Sequence, residues 1–352
     1  MASAKMTLRL AAVLGAVMVA TQAGVAQPGS PPGVPQRGGV EAPASRLLVL
    51  LRDAGALAIV DPASQKILGR VPTVKDPHEV TVTPDGRTAY VASPSQGIAV
   101  IDVAAMKEVR RLDTEPGSAP HDVLFAGGKL YFTAEGHKVI GRYDPVTNKM
   151  DWHFGIGQDG THMLVMTKNM DTLFMPNRGS NSVSMIEGLL AGPPKWRITA
   201  IPVPGKTPEG LDLSPDGREL WTATRGDGGV AVIDVASKKV TQNFNLGMSD
   251  ANRLKFTPNG RNVLILDGGT GTLYVLDTAT RKEIKRLKVA PGDSGDGGIY
   301  VMPDGSRAYL GLRDDHSVVV VDLKTFEISS RIAMGPGSGP GCITWTSPVP
   351  RS

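Results

Sequence analysis

The chain has 352 residues, 41% of them hydrophobic and 20% charged, a balance that supports a buried core and excludes wholesale disorder. The formal net charge is +4, and setting aside Lys5 and Arg9 of the leader leaves +2, too little and too dispersed for a nucleic-acid-binding surface. Cys342 is the only cysteine, which excludes intrachain disulfides, CxxC redox pairs, thiolate zinc sites and covalent haem attachment through CxxCH.

Residues 1–26 read as a signal peptide. Lys5 and Arg9 supply the positive start, Leu10 to Ala20 form an apolar run too short to span a bilayer, and Gly24-Val25-Ala26 offers small residues for cleavage before Gln27. An uncleaved anchor helix is the alternative; with cleavage, no membrane anchor remains and the destination is the periplasm or the exterior. Residues 27–45 (QPGSPPGVPQRGGVEAPAS) are a Pro/Gly-rich tether with nothing to bury.

From residue 46 the chain repeats. PHEVTVTPDGRTAYV from Pro77, PEGLDLSPDGRELWT from Pro208, ANRLKFTPNGRNVLI from Ala251 and DGGIYVMPDGSRAYL from Asp296 share one frame. PHDVLFAGGKLYFT from Pro120, THMLVMTKNMDTLFM from Thr161 and PGCITWTS from Pro340 fit it too. The second residue of the frame falls at 78, 121, 162, 209, 252, 297 and 341, at intervals of 43, 41, 47, 43, 45 and 44 residues, the size of a four-stranded propeller blade. Each frame predicts a first strand, a turn such as Pro84-Asp85-Gly86, a second strand, a polar loop, and an apolar third strand. The third strand ends at a turn led by Asp61, Asp102, Asp144, Asp234, Asp277 or Asp322, and an alternating fourth strand follows. Blade 4 departs, with Glu187 in place of the aspartate and GLLAGPPKW inserted. The prediction is an all-β, seven-bladed β-propeller over 46–347, with a tail at 348–352. Blade 1 has strands two to four at 46–75, and its inner strand comes from Gly341–Ser347.

PDGRTAYVAS followed by GIAVIDVAAMKEV resembles the YVTN/YncE-like family of exported propellers, and the resemblance covers 46–347. It implies a periplasmic or secreted propeller and carries over no catalytic residue, since the repeat specifies fold and not chemistry.

Function should show where the repeats differ on the top face. The frame's second position, where each inner strand enters the channel, reads His78, His121, His162, Glu209, Asn252, Gly297, Gly341. Three imidazoles on consecutive blades with a carboxylate on the next suit a divalent Zn, Fe, Cu or Mn ion; a wet channel lining is the other reading of the same residues. Glu79 and Asp122 follow their histidines and stand as candidates to orient neighbouring rings. A second ring, nine residues before each third-strand aspartate or Glu187, reads Arg52, Ser93, Glu135, Arg178, Arg225, Gly268, Arg313. Its four arginines, with Asn252, suit a small anionic ligand, and local pairing with Asp53, Asp227 and Asp314 is the alternative. His316, in RDDHS, is a candidate general base. Cys342 reads as a buried, inert thiol, and GDSGDGG (292–298) as a loop at the channel mouth. The expectation is a monomeric propeller binding a small anionic ligand beside a metal, with or without catalysis. A non-catalytic module that grips a periplasmic protein or small ligand, and a metal-free lactonase or lyase, are the alternatives.

Overall fold

A computed structural model describes residues 45–112, 114 and 119–346; the leader, nearly all of the tether and the tail lie outside them. Among the described residues, twenty-eight strands form seven antiparallel four-stranded sheets, the blades of a seven-bladed β-propeller. Blade 1 is closed as its phase in the sequence demands: Pro340–Thr346 pairs with Arg46–Leu51, from Arg46 opposite Thr346 to Leu51 opposite Pro340.

Burial follows from the stacking of blades. Second and third strands face a neighbouring blade on each side, so Thr88–Ser93 and Gly97–Asp102 are covered along almost their whole length. Outer strands have one wet side and alternate, as Lys66–Pro72 does. The apolar core is correspondingly divided into seven clusters, each built from two adjacent blades. Leu48, Leu50, Leu57 and Ile59 of blade 1, for example, meet Val80, Val91, Ala99 and Ile101 of blade 2.

The turns do what their residues specify. Gly86, Gly217 and Gly305 of the Pro-Asp-Gly turns have φ of 67°, 75° and 70°, in the left-handed region that glycine enters without strain. The third-strand aspartates accept amides of the turn that follows, as Asp102 does from Ala105 (2.8 Å) and Asp234 from Ser237 (2.7 Å). In those six blades the ladder between third and fourth strands carries a register shift. Blade 4 pairs without one: Glu187 turns to Lys238 and Arg197, and two short 3-10 turns, Leu189–Ala191 and Pro193–Lys195, replace the tight turn.

Candidate metal centre at the channel mouth

A backbone device aims the mouth residues. The position two before each frame residue is left-handed in six blades: Asp76 (φ 47°), Ala119 (42°), Gly160 (66°), Thr207 (53°), Gly295 (67°) and Gly339 (59°). For a β-branched residue such as Thr207 this conformation costs on the order of 1–2 kcal/mol. The bend turns the chain into the channel, so the frame's second residue enters at the top. The loop after each second strand ends at the same level, and the two rings read from the sequence converge there.

The three histidines form an arc. His78 Nδ1 lies 2.7 Å from His121 Nε2, and the His121 and His162 rings lie 3.8 Å apart between centroids, tilted by 40°. His162 Nδ1 faces Glu135 Oε2 at 3.3 Å and its Nε2 faces Glu209 Oε1 at 3.5 Å. His121 and His162 are each 3% exposed. Burial and the neighbouring imidazoles hold His121 well below its ordinary pKa, so it is neutral with a lone pair to give. Burial opposes charge on His162 as well, but Glu135 and Glu209 outweigh it and hold its pKa above the usual.

One ligand atom each from His121, His162 and Glu135 lies within 4.8 Å of the others, against roughly 3.4 Å for atoms sharing a tetrahedral ion. The carboxylate that completes the metal-sized group is thus Glu135, from the second ring, where the sequence pointed to Glu209. Glu209 is 1% exposed and surrounded by guanidinium groups: Arg225 Nη1 at 3.1 Å, Arg253 Nη1 at 3.3 Å and Arg178 Nε at 3.5 Å. Its burial is outweighed by His162, Arg253 and Arg178, which keep it far below the carboxylate range.

The predicted arginines meet carboxylates inside the protein. Arg52 binds Asp76 (3.0 Å) and Asp296 (3.1 Å), Arg178 binds Glu135 (3.4 Å) and Glu209, and Arg225 binds Glu209, Asp250 and Asp296 (3.0 Å). Together with the histidines these contacts close a circuit around the mouth, from Asp76 through Arg52, Asp296, Arg225, Glu209, Arg178, Glu135, His162, His121 and His78 back to Asp76 (2.9 Å). Arg313 stands outside the circuit, paired at 2.6 Å to Asp53 of the adjoining blade, 260 positions away in the chain. His316 also stands apart, with Nδ1 3.5 Å from the Gly339 amide.

The two candidates for orienting imidazoles have other tasks. Asp122 accepts the amides of Val123 (2.7 Å) and Leu164 (2.6 Å), tying blade 3 to blade 4; burial and the nearby Glu79 raise its pKa to about 7. Glu79 pairs with Arg253 Nη2 at 3.1 Å. That bridge joins blade 2 to blade 6 across the channel, and both side chains are under 10% exposed. Asp76 is the carboxylate that contacts His78. Burial and the adjacent Glu79 push the Cys342 thiol well above its usual range, which leaves it unreactive.

Arg253, Asp76, Asp250 and Asp296 were missed in the sequence, although each had a signal. Asp296 occupies the frame position that is proline in four other blades, and Arg253 occupies the one that holds Glu79 and Asp122. Asp76 and Asp250 are at the bend position two before the frame residue.

No protein-family model and no curated protein matches the chain. Solved structures match its fold. Hydrazine synthase of Kuenenia stuttgartiensis is 18% identical with a TM-score of 0.65, over 82% of this chain and 99% of that one. The dihydro-heme d1 dehydrogenase NirN, solved in complex with DHE, is 17% identical with a TM-score of 0.63, over 88% of this chain and 77% of that one. The Cps50 (Swd1) β-propeller domain of Myceliophteria thermophila is 11% identical with a TM-score of 0.62, over 76% and 89%. These are likenesses of fold.

Proposed function

We propose that this chain is an exported β-propeller of the YVTN-repeat type whose channel mouth binds a divalent transition metal on His121, His162 and Glu135. The observation that carries the reading is His121 Nδ1, a fully covered ring nitrogen with no hydrogen-bond partner among the described residues, beside a second imidazole and a carboxylate. Buried polar atoms are rarely left unpaired, and an imidazole nitrogen without a proton donor is a ligand waiting for a cation. Charge agrees. Six carboxylates (Asp76, Glu79, Glu135, Glu209, Asp250, Asp296) meet four guanidinium groups (Arg52, Arg178, Arg225, Arg253) in the circuit and the bridge beneath it, a surplus of two negative charges that one dication cancels.

Two imidazoles and one carboxylate suit Zn, Fe, Cu or Mn and leave positions open to a ligand entering from the top. A bound metal would supply Lewis acidity there. His78, set by Asp76, holds His121 from behind, and Glu209, fixed by its arginines, holds His162. Because the arginines are neutralised by these carboxylates, an anionic ligand forms no part of the proposal. The enzymes among the structural neighbours, hydrazine synthase and NirN, support reading such a scaffold as one that hosts chemistry. The apolar run Leu10 to Ala20 behind Lys5 and Arg9 supports export.

The test is metal analysis of tag-free protein beside a His121→Ala/His162→Ala variant, after loading with Zn, Cu, Fe and Mn salts. The expected result is about one equivalent of metal in the parent and none in the variant. No metal in either protein overturns the proposal and makes the histidines a channel lining.

A further inference from the structure

We propose that the blade 6 and blade 7 side of the mouth is a second binding site, separate from the metal centre, that takes the ammonium group of a primary amine. It is made by Asn252, Asp250 and Asp296, none of which belongs to the metal group.

Asn252 is the first observation. It occupies the same channel-facing position as the three histidines, is 0% exposed, and donates Nδ2 to Gly295 O at 3.3 Å. Its Oδ1 is buried and has no partner among the described residues. A side-chain amide oxygen is a strong acceptor, and leaving it unmet in the interior costs about 1–3 kcal/mol, so a donor is wanted there.

The two aspartates are the second. Asp250 Oδ1 and Asp296 Oδ1 both touch Arg225 as ion pairs, and neither has a further hydrogen-bond partner among the described residues. Their side chains are 19% and 25% exposed, while the two Oδ1 atoms themselves are covered. Around Arg225 stand three carboxylates, Glu209, Asp250 and Asp296. Arg52 shares Asp296 and Arg253 shares Glu209, yet each of those arginines also serves another acid, Asp76 and Glu79 respectively. Among the described residues Asp250 has Arg225 alone, and its pKa is raised by burial and by the facing Asp296 and Glu209.

The arrangement therefore presents one amide oxygen without a partner among the described residues, on the same side of the mouth as two carboxylates that share Arg225. A primary ammonium carries three N–H donors and one positive charge. An alcohol brings one donor without the charge, a quaternary ammonium brings the charge without donors, and an anion is repelled.

The experiment is calorimetric titration of the purified full chain with n-propylammonium chloride, with n-propanol and tetramethylammonium chloride as comparators. Propylammonium should saturate, with both comparators weaker by about tenfold or more. Asn252→Leu and Asp296→Asn should each weaken propylammonium about tenfold. His121→Ala, which removes the metal centre, should leave that affinity within about a factor of two, so the two proposals fail separately. Should Asn252→Leu not fold, judged by its thermal melt, the partly exposed Asp296→Asn decides. Absence of saturation, propanol binding as tightly as propylammonium, or unchanged affinity in a folded variant overturns the site; loss in His121→Ala overturns its independence.

Discussion

Arg253 shows how much rests on one residue at the mouth. It lies on the inner strand of blade 6, is 8% exposed, and satisfies two buried carboxylates on other blades, Glu79 and Glu209. Breaking a buried pair from one side strands a charge, which costs about 3–5 kcal/mol, whereas replacing both partners is far milder. Arg253→Met should therefore lower the unfolding free energy by about that amount, and Arg253→Met/Glu79→Leu should recover a good part of it, both read from urea denaturation. At this scale the sequence was partly legible. Periodicity placed His78, His121 and His162 together because symmetry carries equivalent positions to one axis. It did not show that Glu209 would be claimed by three arginines while Glu135 joined the metal-sized group, since that depends on where long side chains end and not on where strands begin. The pairing of Arg313 with Asp53 was hidden for a related reason: the two stand 260 positions apart, and only the closed ring brings blade 7 beside blade 1.

The element that repeats most faithfully is the turn. Asp85 accepts Thr83 Oγ1 (2.5 Å) and the Arg87 amide (3.1 Å), Asp216 accepts Ser214 Oγ (2.6 Å) and the Arg218 amide (3.1 Å), and Asp304 accepts the Ser306 amide (2.9 Å) and hydroxyl (2.7 Å). Those bonds favour the ionised carboxylate and lower all three pKa values in the folded state. A lowered folded pKa means that the unfolded chain takes up protons first as pH falls. The stability these aspartates contribute is thus fully present above about pH 4 and is lost below it. Thermal melts between about pH 5 and pH 3 should show this decline, and a variant with Asn at 85, 216 and 304 should show a shallower one. Turns and strands were legible because Pro-Asp-Gly and strand alternation are local. The register shifts beside the third-strand aspartates were not, and blade 4 supplies the contrast: without the aspartate, the shift is gone and the inserted 3-10 turns take its place.

As a whole molecule, the propeller is held shut by non-covalent pairing of its last described strand with its first. Removing residues 340–352 would leave Arg46–Leu51 an unpaired edge and strip Ile343 and Trp345 from the cluster between blades 7 and 1. The truncated chain should lose its cooperative thermal transition and aggregate, as circular dichroism and size-exclusion chromatography would record. The fold and its closure could be read from seven frames and a phase offset, because both are properties of period. The Arg253–Glu79 bridge could not, since it joins residues 174 positions apart that only a closed ring brings face to face. That bridge makes opposite sides of the ring answer to each other: a circle that failed to close would leave both of these buried charges stranded.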